Sequence, residues 1–276
     1  MIKSILVAID SSPYAATAKE HAVRLARLYD ARVVGIHVLD VRLLEMPPYL
    51  DYTYEGIPMT PMPLEILEGF RNKGDRTLAE FREGTEGLGV QVEALMEEGV
   101  PADTIADVGE THDLIVMGKR GEHARWGKDM LGSITEAVVR RSTTPVLLTE
   151  ANPVELRNVE LLYDGSPAAN HALKLAADIV TQAGYSLRVL TVSDDPEEGG
   201  SIQAEARAYL EAFDLAVEYR VLPGDVAMAA LADLEEEPVD LVVMGLRGHS
   251  LIHRLVLGSS SEHLMRELAV PVLLVP

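Results

Sequence analysis

Two short segments of the chain repeat a pattern that suits recognition of a nucleoside. An apolar run ends in Asp, two small residues and Pro at residues 10–13 and again at 164–167. We expect Ser12 and Ser166 to cap the following helices, because Ser is a favoured N-cap and Pro is favoured in the first turn. The carboxylates of Asp10 and Asp164 would then be free to accept hydrogen bonds from a ribose or a base edge. The alternative is that each Asp is itself the cap.

Glycines follow a second apolar run in each half of the chain. Two of them are separated by two residues, and a third precedes Ser after ten further residues in the first half and nine in the second. Glycine lets the backbone turn and approach a ligand closely, and a helix N-terminus favours phosphate. The alternative is that the glycines serve only as strand-to-helix turns, which the repetition makes less convincing. The residues are Gly118, Gly121, Gly132 and Ser133, and then Gly245, Gly248, Gly258 and Ser259.

The overall charge excludes several classes of partner. The chain has 24 basic and 44 acidic residues, a net charge of −20, and no cysteine. Such a charge repels nucleic acids and anionic membrane surfaces, and the lack of cysteine excludes disulfides and thiol chemistry. Residues 118–135 and 241–259 are exceptions, because basic residues exceed acidic ones by two in each. These two stretches contain the glycines, so they are where a phosphate would be held.

The elements that must position these residues come in two copies. Asp10 and Asp164 are 154 residues apart, whereas the apolar runs before Gly118 and Gly245 are 127 apart. The first half therefore has an insert, which we place near residues 41–64, where prolines disfavour regular structure. Strands alternate with helices in both halves, which predicts an α/β fold of two tandem, doubly wound, mainly parallel five-stranded sheets. We predict domains at 1–150 and 151–276, joined by a linker at 150–158.

The length and hydropathy are those of a globular protein. The 276 residues are 47% hydrophobic, which is enough for real cores. No apolar run approaches the length of a membrane span, and residues 1–9 lack the features of a secretory leader. We therefore expect a soluble, cytoplasmic protein.

The chain resembles a tandem universal stress protein of the ATP-binding branch. That branch has the signature Gly-x2-Gly-x9-Gly-(Ser/Thr), which the second half matches and the first half exceeds by one residue. The resemblance covers nearly all of both halves and implies binding of ATP or another adenine nucleotide, with Mg²⁺. By motif position it implies, as binding residues, Asp10, Val38, Met117, Gly118, Gly121, Gly132, Ser133 and Ile134, and Asp164, Val192, Met244, Gly245, Gly248, Gly258, Ser259 and Ser260.

The same resemblance implies an assembly and a function. In the family the last strands pair across a two-fold axis, so a tandem chain can form that dimer internally. We expect a non-catalytic sensor or signalling protein that responds to ATP occupancy. A slow ATPase or phosphotransferase at the same sites is the alternative, although the chain has no Gly-x4-Gly-Lys-(Ser/Thr) phosphate loop. Further dimerisation, the protein partner and the role of the insert stay open.

Overall fold

The structure is a computed structural model, and it describes residues 1–44, 64–122, 131–246 and 259–276. Its elements alternate as the sequence predicts. The first half contains β1 (Ser4–Ala8), α1 (Pro13–Tyr29), β2 (Arg32–Asp40), α2 (Val41–Leu44), α3 (Leu64–Glu83), β3 (Gln91–Gly99), α4 (Pro101–Gly109), β4 (Leu114–Gly118), α5 (Ser133–Arg141) and β5 (Val146–Thr149). The second half contains β6 (Asn158–Leu162), α6 (Pro167–Ala183), β7 (Ser186–Val192), α7 (Pro196–Leu210), β8 (Val217–Leu222), α8 (Val226–Glu236), β9 (Leu241–Gly245), α9 (Ser259–Glu267) and β10 (Val272–Val275).

The start of the predicted insert is helical. The expectation that prolines keep residues 41–64 irregular is wrong for α2, which ends before the first of those prolines. Residues 45–63, which contain the five prolines of the predicted insert, lie outside the described ranges.

All ten described strands form one sheet in the order β3-β2-β1-β4-β5-β10-β9-β6-β7-β8. Strands within each half pair in parallel, which confirms the doubly wound α/β prediction. The two halves meet where β5 pairs antiparallel with β10, with Leu147 opposite Leu273. Both strands are buried and apolar, so this pairing removes two exposed edges that would otherwise favour aggregation.

Helices cover both faces of the sheet. One core packs α1, α3, α6 and α7 against the strands, and the other packs α4, α5, α8 and α9. Of the helices in the described ranges, none is long and apolar enough to cross a membrane.

The second half contains a buried ionic network beneath α8. Arg188 on β7 bonds the carboxylate of Glu160 on β6 at 2.6 Å and lies 3.1 Å from the Asp233 carboxylate on α8. Arg220 on β8 contacts Asp233 at 2.8 Å, and both arginines reach Glu237 at the end of α8. Burial and the Asp233 charge raise the pKa of Glu160 to about 7, although Arg188 opposes the change.

The first half is apolar at the matching positions. Leu6 on β1 lies opposite Val34 on β2, in the register that Glu160 and Arg188 have in the second half. Both apolar side chains are buried. The network is therefore a feature of the second half that the shared fold does not require.

Candidate functional site

The two predicted aspartates lie at the carboxyl ends of the central strands, where doubly wound sheets bind ligands. Ser12 and Ser166 cap the next helices, with their hydroxyls accepting from the amides of Ala15 and Ala169 at 3.1 and 3.2 Å. The prediction that the cap falls on Ser is confirmed.

The aspartate carboxylates already accept hydrogen bonds from backbone amides, and their contact with a ribose or a base edge stays a prediction. The Ser12 amide donates to Asp10 Oδ1 at 2.9 Å, and the Glu122 amide donates to Oδ2 at 3.1 Å. Asp164 accepts from the Ser166 amide at 2.9 Å in the same way. The amide two residues on reaches back because Asp favours this local turn. Each carboxylate is thereby held in one orientation, and it keeps oxygen lone pairs for further hydrogen bonds.

Gly118 and Gly245 are required by helix packing. A Cβ on Gly245 would lie 2.8 Å from the backbone of Ala168 and Ala169 at the start of α6, and one on Gly118 would lie 2.4 Å from Tyr14 Cβ in α1. Helix packing is thus a sufficient reason for glycine at position 245, and the approach of its backbone to a ligand stays a prediction. Its missing side chain makes room for the helix that follows the aspartate.

Gly245→Ala should therefore destabilise the ligand-free protein by about 1–3 kcal/mol, the usual range for overpacking. Denaturant unfolding without nucleotide would measure this loss. Gly200→Ala is the control, because Gly200 is helical and exposed and a Cβ there would meet nothing within 4 Å. Equal stability of Gly245→Ala and the wild type would contradict the packing explanation.

Gly121 and Gly132 bring the glycine loop to the first aspartate. A Cβ on Gly121 would lie 2.8 Å from Asp10 Oδ2. Gly132 is the N-cap of α5, and no side chain of the described residues caps the amides of the first turn, which are groups that suit an anion. Thr135 holds this turn in place by donating to the Gly118 carbonyl at 3.0 Å.

The remaining predicted residues of the first half lie around this arrangement. Ser133 and Ile134 are exposed in the first turn of α5. Met117 is buried and Val38 is half-buried, and both belong to the same apolar cluster.

The second half repeats the apolar part of the site. Met244 is buried in the same cluster, and Val192 packs partly against it. Ser259 begins α9, and Ser260 follows it half-buried. Gly248 and Gly258 lie outside the described residues, so their place relative to Asp164 stays a prediction.

Lys119 does not serve the phosphate position. Its ammonium is buried, lies 2.6 Å from the Glu150 carboxylate and donates to the carbonyls of Leu268 and Val270, the latter at 3.2 Å. Burial lowers its pKa, and the Glu150 charge opposes that effect. The lysine thus links the first half to the turn before β10, and it cannot count toward the positive charge that the sequence suggested for this loop.

Glu122 is a site residue that the sequence analysis did not identify. Its carboxylate accepts from the amide and hydroxyl of Ser11 at 3.0 and 2.6 Å, and it pairs with Lys73 on α3. Although burial opposes the change, hydrogen bonds from Lys73 and Ser11 lower the pKa of Glu122 to about 2. The available signal was its position directly after Gly121, where the second half has His249.

The described residues offer no ready metal centre. No three His, Asp or Glu side chains converge within the ranges that the structure covers. A divalent ion bound here would have to take most of its ligands from a bound phosphate and from water, as Mg²⁺ commonly does.

Two doubly wound halves, each with an aspartate just beyond the carboxyl end of its central strand, define a tandem α/β protein. The chain belongs to the universal stress protein family, whose sequence pattern matches residues 1–150 and 155–276. Relatives of similar length are universal stress proteins of Synechocystis, 27% identical over 99% of both chains, and of Mycolicibacterium smegmatis, 28% identical over 98% of this chain and 96% of that one. A universal stress protein structure from Archaeoglobus fulgidus has the same fold, with a TM-score of 0.78 and 23% identity over 99% of this chain and 97% of the other.

Proposed function

We propose that the chain is a non-catalytic ATP-binding protein with one adenine-nucleotide site in each half, and that nucleotide occupancy is its signal. The arrangement of Asp10, Gly121 and the start of α5 carries this proposal. It joins an oriented carboxylate, a backbone without a side chain and a helix N-terminus without a side-chain cap. These groups suit ribose hydroxyls and phosphates respectively.

The remaining predicted residues have complementary roles in this proposal. Val38 and Met117 provide an apolar surface for the base, and Val192 and Met244 do so in the second half. The amides of Ser133 and Ile134 face the phosphates at the start of α5. Mg²⁺ would bind with the nucleotide and neutralise phosphate charge.

The two sites should differ in affinity. In the first half the Glu122 carboxylate already occupies the Ser11 amide and hydroxyl, and its low pKa keeps it charged at neutral pH. A second carboxylate beside Asp10 disfavours a polyphosphate, because like charges repel at short range. His249 replaces the glutamate in the second half. We therefore propose that the second half binds ATP more tightly.

The pairing of β5 with β10 supports an internal pseudo-dimer of domains 1–150 and 151–276. Each half would then contribute one nucleotide site to a single sheet, without a second chain. The cytoplasmic location expected from the sequence stays a prediction.

Purified protein should retain adenine nucleotide, which mass spectrometry of the small molecules released by denaturation would identify. Added ATP should raise the melting temperature of stripped protein. Gly258→Val should remove most of this shift and Gly132→Val a smaller part, because each adds a branched side chain at a helix start. Gly200→Val, on an exposed helix surface, is the control. Absence of both retained nucleotide and an ATP-induced shift would refute the proposal.

The catalytic alternative gives a different result. ATP turnover that is lost in Asp164→Ala, with ATP binding retained, would show that the site is an enzyme active centre. Binding without turnover in the wild type would support the sensor function.

A further inference from the structure

A cavity of about 320 Å³ lies at the edge of the sheet opposite to Asp10 and Asp164. It is lined by the second half of α1, by residue 156 before β6, and by residues 183 and 185 between α6 and β7. These segments all precede strands, so the cavity is at the amino ends of the strands, whereas the nucleotide sites are at the carboxyl ends. A second cavity of about 690 Å³ adjoins it and shares four of its lining residues.

The lining combines an apolar interior with a basic mouth. Leu25 and Leu156 are buried, while Arg24 and Arg27 are exposed. Both arginines donate to backbone carbonyls, Arg24 to residue 154 at 3.1 Å and Arg27 to residue 88 at 2.6 Å. Neither forms an ion pair with a carboxylate of the described residues. In a chain with 44 acidic residues, two such neighbouring arginines mark a place that can accept an anion.

His21 adds an unsatisfied polar group to the cavity wall. Its side chain is only 2% exposed, and neither ring nitrogen has a hydrogen-bond partner among the described residues. Burial, followed by the charge of Arg24, lowers its pKa to about 4, so the ring is neutral at pH 7. A neutral imidazole has one donor and one acceptor to satisfy, and buried polar groups in native proteins normally have partners.

The other half of the repeat has none of these polar features. Residues 154 positions later are Leu175, which packs against the core, and Asp178, which pairs with the Met1 ammonium at 3.3 Å. The equivalent place therefore has an ion pair instead of an exposed arginine, and an apolar side chain instead of a histidine. His21 and Arg24 are thus additions that the common fold does not need.

The cavity itself has an identifiable cause in the sequence. Ala183 is the last residue of α6. The equivalent last residue of α1 is Tyr29, which is buried. A methyl group in place of a phenol ring leaves space between the helix and residues 155–157. The half-buried Tyr185 fills part of that space and provides an aromatic wall.

We propose that this cavity binds a small organic anion with an apolar body. The anionic group lies at Arg24 and Arg27, and the apolar body lies on Leu25 and Leu156. The neutral His21 ring forms part of the wall behind these groups, with both nitrogens buried. The site is independent of nucleotide binding, since it uses the opposite edge of the sheet.

The probe for this site is 1-anilinonaphthalene-8-sulfonate, an aromatic sulfonate whose fluorescence rises in apolar surroundings. N-phenyl-1-naphthylamine, which has the same aromatic body without the sulfonate, tests whether charge contributes. We expect saturable binding of one equivalent of the sulfonate, with weaker binding of the amine. Saturating ATP should leave the sulfonate bound.

Two kinds of variant locate the probe. Arg24→Gln combined with Arg27→Gln should weaken sulfonate binding about tenfold, consistent with the loss of two charge-assisted contacts. Ala183→Tyr, which introduces the residue of the first half, should block binding by filling the cavity. Arg76→Gln is the matched control, since Arg76 is an exposed helical arginine that bonds only a backbone carbonyl in the described structure. Far-ultraviolet circular dichroism should be unchanged in all variants, which would show that the fold is retained.

Several outcomes would overturn the proposal. These are the absence of saturable binding, equal affinity for the sulfonate and the amine, and unchanged affinity in both the double variant and Ala183→Tyr. Displacement of the sulfonate by ATP would place the probe at the glycine loops and would also refute it. Apart from displacement by ATP, which would itself indicate ATP binding, these results do not bear on the nucleotide proposal, so the two proposals can fail separately.

Discussion

Arg188→Met should lower the free energy of unfolding by about 3–5 kcal/mol at pH 8, the range measured when one partner of a buried ion pair is removed. The arginine is 8% exposed and the Glu160 side chain is fully buried. Among the described residues Arg188 is the only cation in contact with Glu160. Its loss leaves a buried carboxylate without compensation. Urea unfolding at pH 8 measures the effect.

Adding Glu160→Leu to Arg188→Met should recover most of that loss. Two apolar side chains of similar volume remove both charges, and such replacements are often neutral or stabilising. The first half shows that the fold accepts an apolar pair at this place, because Leu6 and Val34 are buried there in the same register. Asp233 keeps Arg220 as its partner at 2.8 Å. A double variant no more stable than Arg188→Met would show that the network is needed for reasons other than charge pairing.

The buried network should also make stability depend on pH. Since burial and Asp233 raise the pKa of Glu160 to about 7 from an ordinary value of 4.5, the folded protein binds this proton more tightly than the unfolded chain. The resulting stabilisation is fully present below about pH 4.5 and is lost as the pH rises through 7. Its size is on the order of 3 kcal/mol. The free energy of unfolding should therefore contain a component that falls between pH 5 and pH 8.

Glu160→Gln isolates that component, because glutamine resembles the protonated acid at every pH. The variant should be close to the wild type at pH 5 and more stable than it at pH 8. Glu218→Gln is the control, since Glu218 is an exposed carboxylate that pairs with Arg220. A constant difference between Glu160→Gln and the wild type across this range would contradict the assignment.

Much of the fold could be predicted because its signals are local. The caps at Ser12 and Ser166 depend on residues within one helical turn, and the strand runs depend on neighbouring apolar residues. The repeat then fixes how the elements alternate, and the right-handed crossover rule restricts the topology. The short helix α2 is an exception, because it lies next to prolines that predict irregular structure for the whole region.

The candidate site was only partly predictable, since long side chains find partners far away in sequence. Lys119 belongs to a stretch whose positive charge predicts a phosphate site, yet its ammonium donates to the carbonyls of Leu268 and Val270 in the other half of the chain. Glu122 contacts Ser11 and Lys73, which come from two other elements. Neither set of contacts can be read from spacing along the chain.

The amino-acid sequence alone specified two copies of an α/β unit and the position of an aspartate and a glycine loop in each, because periodicity, capping and turn formation act over a few residues. The tertiary structure decided which side chains of each copy meet in the core and where space is left between them. Packing placed an ion pair where the other half has Leu6 and Val34, and it left a cavity where Ala183 replaces the tyrosine of the first half. These differences depend on volume and charge among elements that meet only when the ten-stranded sheet forms.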